Sequence, residues 1–347
     1  MTLEMWQSVE DLFERGRRMP PETLPEFLDD ACGENDEIRR QVEQLLAASS
    51  RKRGGLDEPL FEIMGEEHIG RYKILGRLAS DSTSTIFLVV SRTDPHQARL
   101  VLKVLQAGGG VVSLFGRKKS DFQSLQHPGL VSFLDAGTTT LDEPYLVSEY
   151  VDGRPIDAYC NENSLTVGQR LELFFKVCNA VAFAHQSLIA HRALRPGKIL
   201  ITTDGEPKIL DFGLVRLLEI ERRSRDSDDP TRPAERLAPS IYASPETTYQ
   251  DRPQMITSDV YSLGAILFEL LTGRHPYQFK SRSLAEMYRV IREEQPDVPS
   301  RYAEGLPAGT DRVVSKALAK SPEERYRSAR ELADEIRQLR DSRLLVV

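Results

Sequence analysis

The chain has little cysteine and tryptophan: its 347 residues include three Cys and one Trp. Cys32, Cys160 and Cys178 lie far apart and form no C-x-x-C pair, so the sequence indicates neither a disulfide framework nor a zinc site. It also lacks a run of about 18 apolar residues, and we therefore expect no membrane span. The acidic N-terminus is not followed by the apolar core of a secretory signal, which favours a cytoplasmic location.

A basic excess is missing as well. Lys and Arg number 46 against 53 Asp and Glu, and the formal net charge is −7. Binding to nucleic acid or to an anionic membrane surface depends on basic residues that neutralise phosphates. We therefore expect no nucleic-acid partner, and the sequence leaves the oligomeric state open.

The spacing of apolar residues and the local composition divide the chain into segments that predict different structures. Residues 1–50 carry apolar side chains at helical spacing and predict a small helical region. Residues 51–68 contain Arg-Lys-Arg-Gly-Gly and predict a flexible linker. From residue 69 onward, apolar runs predict five antiparallel strands and one helix between them. The strand runs lie near residues 72–75, 85–90, 100–105, 130–134 and 145–148, and the helix near residues 114–125.

Helix signals dominate the second half of the chain. Thr166-x-x-Gln169 is a capping-box pattern and predicts the start of a helix. The segment from Asp259 to Leu271 is apolar nearly all round, which predicts a buried helix. Ser328-x-x-Glu331 predicts the start of the last helix.

Four short motifs follow one another in a fixed order. A Leu-Val-Leu-Lys run ends at Lys103, residues 191–200 read HRALRPGKIL, Asp211 opens an Asp-Phe-Gly triplet, and residues 244–246 read Ser-Pro-Glu. In this order the motifs resemble those of bacterial Ser/Thr protein kinases.

This resemblance covers residues 69–342 and implies an α+β, two-lobed protein kinase-like fold. Residues 69–148 would form a five-stranded antiparallel N-lobe and residues 152–342 a helical C-lobe, with residues 343–347 as a tail. A small helical N-terminal region would precede the two lobes.

The resemblance also implies how the fold is held together. Glu246 is expected to form a buried pair with Arg325. The family's stacked hydrophobic spine, with Asp259 as its anchor, falls on four side chains: Phe122, Phe133, His191 and Phe212.

The catalytic loop departs from the family pattern His-Arg-Asp-Leu-x-x-x-x-Asn. Ala193 stands where the Asp base belongs, and Lys198 where the Asn ligand of the second magnesium belongs. Arg195 replaces the Lys near the transferred phosphate. No catalytic residue is therefore intact in its usual form. Two arrangements of Lys198 stay open: an ion pair with Asp211 that fills the metal site, or a side chain directed to solvent.

The residues that would hold a nucleotide are partly kept. The resemblance assigns Lys103 to the phosphates and Asp211 to a metal ion. It places Ser148, Val151 and Leu200 in a residual nucleotide pocket. These residues imply ATP and Mg²⁺ as cofactors.

Other parts of the nucleotide site are changed. The family's glycine-rich loop is replaced at Ala79, Asp81 and Ser84, whose side chains stand where glycines would let the backbone approach phosphates. Lys118 falls at the position of the helix Glu that normally pairs with Lys103. These changes oppose nucleotide binding, and the sequence leaves open whether ATP binds.

Three functions follow from this mixture. The losses favour a pseudokinase: a binding, allosteric or scaffold module in bacterial signalling, without normal phosphotransfer, whose partner is an active kinase or another signalling protein. The first alternative is a weak or atypical Ser/Thr protein kinase. The second is an ATP-binding sensor without turnover.

Overall fold

A computed structural model shows two compact units, Met1–Gly65 and Glu66–Val347. The structure describes Leu28, Arg39 and the following ranges: 68–80, 84–105, 126–187, 189–214, 240–249, 255–281 and 283–344. In the first unit Leu28 and Arg39 are helical, and Leu28 is buried. The remainder of the helical region predicted for residues 1–50 lies outside the described residues, as do residues 51–67 and the helix predicted near residues 114–125.

The second unit begins with an antiparallel sheet, in which buried and exposed side chains alternate at the start of strand β2. In β2, for example, Tyr72 and Ile74 are buried while Lys73 is exposed. Within the described residues the strand order is β1-β2-β3-β4-β6-β5, and every pairing is antiparallel. The strands are β1 His68–Ile69, β2 Tyr72–Ser80, β3 Ser84–Ser91, β4 Arg99–Leu105, β5 Phe133–Thr138 and β6 Pro144–Glu149.

Two predictions about this sheet are wrong. The predicted number of strands was five, but the short strand β1 adds a sixth and takes in His68, which we had assigned to the linker. The apolar run at residues 130–134 is not one strand, because β5 begins only at Phe133. Leu130 instead forms an isolated parallel bridge with Ile209, far along the chain.

A three-stranded sheet and a set of helices make up the rest of the unit. The small sheet has the order β7-β8-β9, with β7 Gly153–Pro155, β8 Ile199–Thr202 and β9 Pro207–Ile209. The helices are α1 Ile156–Glu162, α2 Val167–Gln186, α3 Ile256–Thr272, α4 Leu284–Glu293, α5 Thr310–Ala317 and α6 Ala329–Leu344. Short 3₁₀ turns lie at Pro196–Lys198, Pro245–Thr248, Pro299–Arg301 and Pro322–Glu324.

Helix α3 is the centre of the helical lobe, as its sequence predicts. Thirteen of its residues are buried, and it starts at Ile256, three residues before the predicted start. Its neighbours approach closely, because a Cβ atom built on Gly264 would lie 2.7 Å from the Cβ of Ala317. It ends at Gly273, whose φ of 70° is the left-handed conformation that glycine adopts readily.

The predicted starts of helices α2 and α6 are confirmed. Thr166 and Gln169 form a reciprocal capping box at the start of α2. Near the start of α6, the Glu331 amide donates to Ser328 Oγ and the Arg327 amide to the Glu331 carboxylate. Cys160 and Cys178 are buried free thiols. Within the described ranges, no helix combines the length and the apolar character needed to cross a membrane.

Candidate active site

Lys103 and Asp211 meet between the sheet lobe and the helical lobe. Lys103 lies in β4, which is hydrogen-bonded on both sides, to β3 and to β6. Asp211 follows β9 by two positions. The Lys103 ammonium donates to Asp211 Oδ2 at 2.9 Å, and the side chains are 13% and 19% exposed. The structure therefore brings together the phosphate and metal residues that the sequence assigned.

Lys198 joins this pair. It lies at the end of the 3₁₀ turn Pro196–Lys198, and its ammonium group donates to the same Oδ2 of Asp211. Its side chain is 17% exposed. The ion pair expected as one arrangement of Lys198 is confirmed, and the solvent-directed alternative is wrong.

The charge state of Asp211 follows from these neighbours. Burial alone would raise the pKa of its carboxyl group, but the charges and hydrogen bonds of Lys103 and Lys198 outweigh burial and hold that pKa well below its usual range. Two ammonium groups thus share one carboxylate, which leaves the cluster with an excess of positive charge.

The catalytic loop is fixed by a buried carboxylate. Asp259, in α3, accepts hydrogen bonds from the backbone amides of His191 and Arg192, each at 2.7 Å. His185 Nε2 lies 2.9 Å from the same carboxylate. The ring of His191 packs edge-on against Phe212 at 5.1 Å between centroids. The anchoring role expected for Asp259 is confirmed, and so is the His191–Phe212 part of the spine; Phe122 lies outside the described residues.

The other two substituted loop positions, Ala193 and Arg195, differ in their surroundings. Ala193 is half-buried, and its amide donates to His191 Nδ1 at 3.2 Å, so the loop is ordered without an acidic side chain. Arg195 is exposed, and its positive charge acts to lower the pKa of both Lys198 and Tyr242. A Cβ on Gly197 would lie 3.1 Å from Arg195 Nη1, so this guanidinium group lies close to the turn.

The residues predicted to line the nucleotide pocket lie on the two lobes. Ser148 is the register partner of Val101 across β4 and β6. Leu200 lies in β8, which pairs with β7, and Val151 lies between β6 and β7. The side chains of Ser148, Val151 and Leu200 are all half-buried.

The loop that replaces the glycine-rich loop joins two paired strands. Their pairing continues to Ser80 opposite Thr85, with 3.1 Å between the two hydroxyls. Ala79 is exposed, whereas Ser84 is 2% exposed. Asp81 lies outside the described residues, as does Lys118.

A buried ion pair supports the Ser-Pro-Glu motif. Arg325 donates two hydrogen bonds to Glu246, at 2.8 and 2.7 Å, and Ser258 donates a third at 2.7 Å. The pair predicted from the sequence is confirmed.

Sequence reasoning missed two polar contacts near the site. One is the contact of His185 with Asp259; the other is the hydrogen bond that Tyr242 donates to Glu269. The only sequence signal for either contact is a polar residue on an otherwise apolar helix face. Such a signal does not identify the partner.

The donor set fits one magnesium ion better than two. In the part of the chain that the structure describes, no cluster of three or more His, Cys, Asp or Glu side chains could hold a metal ion by itself. Mg²⁺ needs only one or two carboxylates when phosphates and water supply the other ligands. Asp211 meets that need, since both hydrogen bonds that described residues donate to its carboxylate end on Oδ2. Lys198, which the family resemblance places at the position of the second metal's ligand, has only donors and offers no oxygen to a metal ion.

A sheet lobe and a helical lobe that join a strand lysine to an Asp-Phe-Gly aspartate define a protein kinase fold. A family model described as protein kinase domain matches residues 116–336, well over half of the chain. The chain belongs to the protein kinase family.

Curated relatives agree with this assignment. Serine/threonine-protein kinase PknB of Mycobacterium leprae is 37% identical over 228 residues, which are 64% of this chain and 35% of PknB. PknB of Mycolicibacterium smegmatis is 36% identical over 230 residues, with the same coverage of 64% and 35%. Serine/threonine-protein kinase PrkC of Bacillus subtilis is 32% identical over 283 residues, 79% of this chain and 41% of PrkC. The chain thus spans less than half of the length of these relatives.

These relatives correct the functional interpretation of the sequence. We expected a pseudokinase, but the similar curated proteins are named as Ser/Thr protein kinases. The interpretation as a module without phosphotransfer is therefore wrong, and the alternative of an atypical Ser/Thr kinase fits better.

Proposed function

We propose that the chain is an atypical Ser/Thr protein kinase that transfers the γ-phosphoryl group of ATP to a protein hydroxyl. The observation that carries the proposal is the contact between Lys103 and Asp211, at 2.9 Å in a site where both side chains are less than one-fifth exposed. Lys103 would hold the phosphates of ATP. Asp211 would hold a magnesium ion, whose charge would offset the negative charge that develops on the phosphate oxygens.

The chain's own residues would contribute mainly by position and charge. Lys103 is fixed by the central strand β4, and the ionised Asp211 is fixed by its two ammonium partners. Arg195 is exposed, and its positive charge acts on Lys198; the family resemblance places this position near the transferred phosphate, where the charge would add to that of the lysines. Phosphoryl transfer passes through a loose transition state and depends chiefly on such positioning and electrostatic stabilisation.

The absence of a catalytic Asp at position 193 determines the expected rate of phosphoryl transfer. Ala193 cannot accept the hydroxyl proton, which would leave to solvent as the new O–P bond forms and the bond to ADP breaks. General-base catalysis contributes about 10²- to 10⁴-fold, so the proposed kinase should be slower than an Asp-containing kinase by about that factor.

Phosphate incorporation tests this proposal. The full chain is incubated with radiolabelled ATP, Mg²⁺ and a carrier protein containing Ser and Thr, and labelled amino acids are identified after hydrolysis. We expect slow labelling of Ser or Thr that disappears in Lys103→Met. The matched control is Lys176→Met, since Lys176 forms a more exposed ion pair with Glu206. Labelling that persists in Lys103→Met, or no labelling of the native chain, contradicts the proposal.

A protein partner would then be the phosphoryl acceptor. This part of the proposal rests on the net charge of −7, which disfavours nucleic acid, and on the exposed Arg195, which the family resemblance places near the transferred phosphate.

A further inference from the structure

Two ammonium groups converge on one carboxylate oxygen in the active site. Lys103 reaches Asp211 Oδ2 from the sheet lobe, and Lys198 reaches it from the helical lobe. All three side chains are less than one-fifth exposed. Both lysines therefore lie at the inner end of the site, where the phosphates of a nucleotide would lie.

The position of Lys198 is fixed by its backbone. Its amide donates to the carbonyl of Arg195 at 2.8 Å, which closes the 3₁₀ turn. Its carbonyl accepts from the amide of Leu210 at 2.9 Å, and Leu210 is the residue immediately before Asp211. The turn that carries Lys198 is thus hydrogen-bonded to the segment that carries Asp211. The backbone of the site therefore positions the ammonium group of Lys198.

The electrostatic effect of Lys198 is the opposite of that of a metal ligand. A carboxamide at this position would offer an oxygen to a divalent cation. An ammonium group has only donors and a positive charge, so it repels a cation and attracts a phosphate. The excess positive charge of the Lys103, Asp211 and Lys198 cluster is therefore available to the nucleotide.

We infer that the Lys198 ammonium takes the place of one divalent cation beside the phosphates of ATP, so that ATP binding depends only weakly on Mg²⁺. The inference rests on the proposed function, because it concerns how the same site holds its nucleotide. It concerns binding, however, and can be measured without phosphoryl transfer.

The test compares nucleotide affinity with and without magnesium. Titration calorimetry of the full chain with a non-hydrolysable ATP analogue is run in Mg²⁺ and in EDTA. For the native chain we expect the two dissociation constants to differ by less than about fivefold, the lower limit of ordinary coupling between two ligands. For Lys198→Asn we expect weak binding in EDTA and a gain of about 5- to 150-fold on adding Mg²⁺, the range of ordinary coupling.

Two further variants separate charge from folding. Lys198→Arg keeps the positive charge and should keep the weak dependence on Mg²⁺. Lys176→Asn makes the same substitution at a more exposed ion pair with Glu206 and should behave as the native chain. If thermal unfolding shows that Lys198→Asn does not fold, Lys198→Met replaces it as the uncharged variant. The dependence of its nucleotide affinity on Mg²⁺ is then compared with that of the native chain and of Lys198→Arg.

The possible results distinguish the inference from the proposed function. Native binding that requires Mg²⁺ as strongly as Lys198→Asn overturns the inference and leaves the kinase proposal standing. Absence of nucleotide binding in both Mg²⁺ and EDTA overturns both. Metal-independent binding without any phosphate incorporation supports the inference and contradicts the kinase proposal.

Discussion

The carboxylate of Asp259 holds the backbone amide of Arg192 at 2.7 Å, and Arg192 has a φ of 67°. A residue other than glycine in this left-handed region costs about 1–3 kcal/mol and persists only where its surroundings impose it. Here the buried carboxylate imposes it, through Arg192 and through the neighbouring amide of His191. The loop that carries Ala193 and Lys198 is thus shaped by a residue of the central helix.

Asp259→Asn tests this anchoring. One oxygen would become an NH₂ group that faces a buried N–H donor, and we expect the free energy of unfolding to fall by about 1–3 kcal/mol. Urea unfolding measures the change. Asp334→Asn, in an exposed pair with Arg337, is the control and should change stability by less than about 1 kcal/mol. Equal stabilities of the two variants would contradict the anchoring role.

The pair of Glu246 and Arg325 is predicted to be important for the stability of the helical lobe. Removing one partner leaves the other charge buried and unpaired, so Glu246→Gln should lower the free energy of unfolding by about 3–5 kcal/mol. The control is Glu172→Gln, because Glu172 pairs with Arg340 at 2.6 Å on a more exposed surface. That control should cost about 0–1 kcal/mol. Guanidinium unfolding of both variants distinguishes the two sites.

The same pair predicts how stability depends on pH. Burial acts to raise the pKa of Glu246, but the hydrogen bonds and charge of Arg325 outweigh it, and the folded-state pKa lies below the usual value of 4.5. The unfolded chain therefore binds the proton more readily than the folded chain. The stability that Glu246 supplies is complete above pH 4.5 and is lost as the pH falls through the lower folded-state value. Urea unfolding between neutral pH and pH 3 should show a steeper decline for the native chain than for Glu246→Gln. Parallel declines would be inconsistent with this assignment.

Ala193→Asp tests the missing base. If positioning and charge already support slow transfer, restoring a carboxylate should raise the rate by up to about 10²- to 10⁴-fold, the usual contribution of a general base. In Ala193→Asn the new side chain is nearly the same size as in Ala193→Asp but cannot accept the proton of the substrate hydroxyl. This variant should therefore leave the rate low. The measurement is the initial rate of phosphate incorporation at saturating ATP. A similar rate for both variants would show that proton acceptance does not limit the reaction.

Local signals in the sequence predicted the parts of the structure that depend on nearby residues. The capping box of Thr166 and Gln169 and the burial of α3 follow from spacing and apolar pattern alone. The pair of Glu246 with Arg325 was predicted only through the family resemblance, since 79 residues separate them. The contact of Lys198 with Asp211 was predicted as one of two arrangements, because a long flexible side chain can reach either a buried carboxylate or solvent.

Contacts without a local signal were missed. The run at residues 130–134 is apolar like a strand, yet Leu130 bridges to Ile209 in place of continuing β5. Apolar character predicts burial, but it does not identify the backbone partner. Likewise His185 and Asp259 are 74 positions apart, and nothing in either local sequence indicates that they meet. Such contacts depend on how helices α2 and α3 pack, which is a property of the whole lobe.

The rate of phosphate transfer by the native chain and by Asp211→Asn tests the central claim most directly. The carboxamide would keep the size of the Asp211 side chain but remove the charge that Lys103 and Lys198 share. We expect slow labelling of Ser or Thr from radiolabelled ATP by the native chain, and none above background by Asp211→Asn. Equal labelling by the two proteins, or no labelling by either, would contradict it.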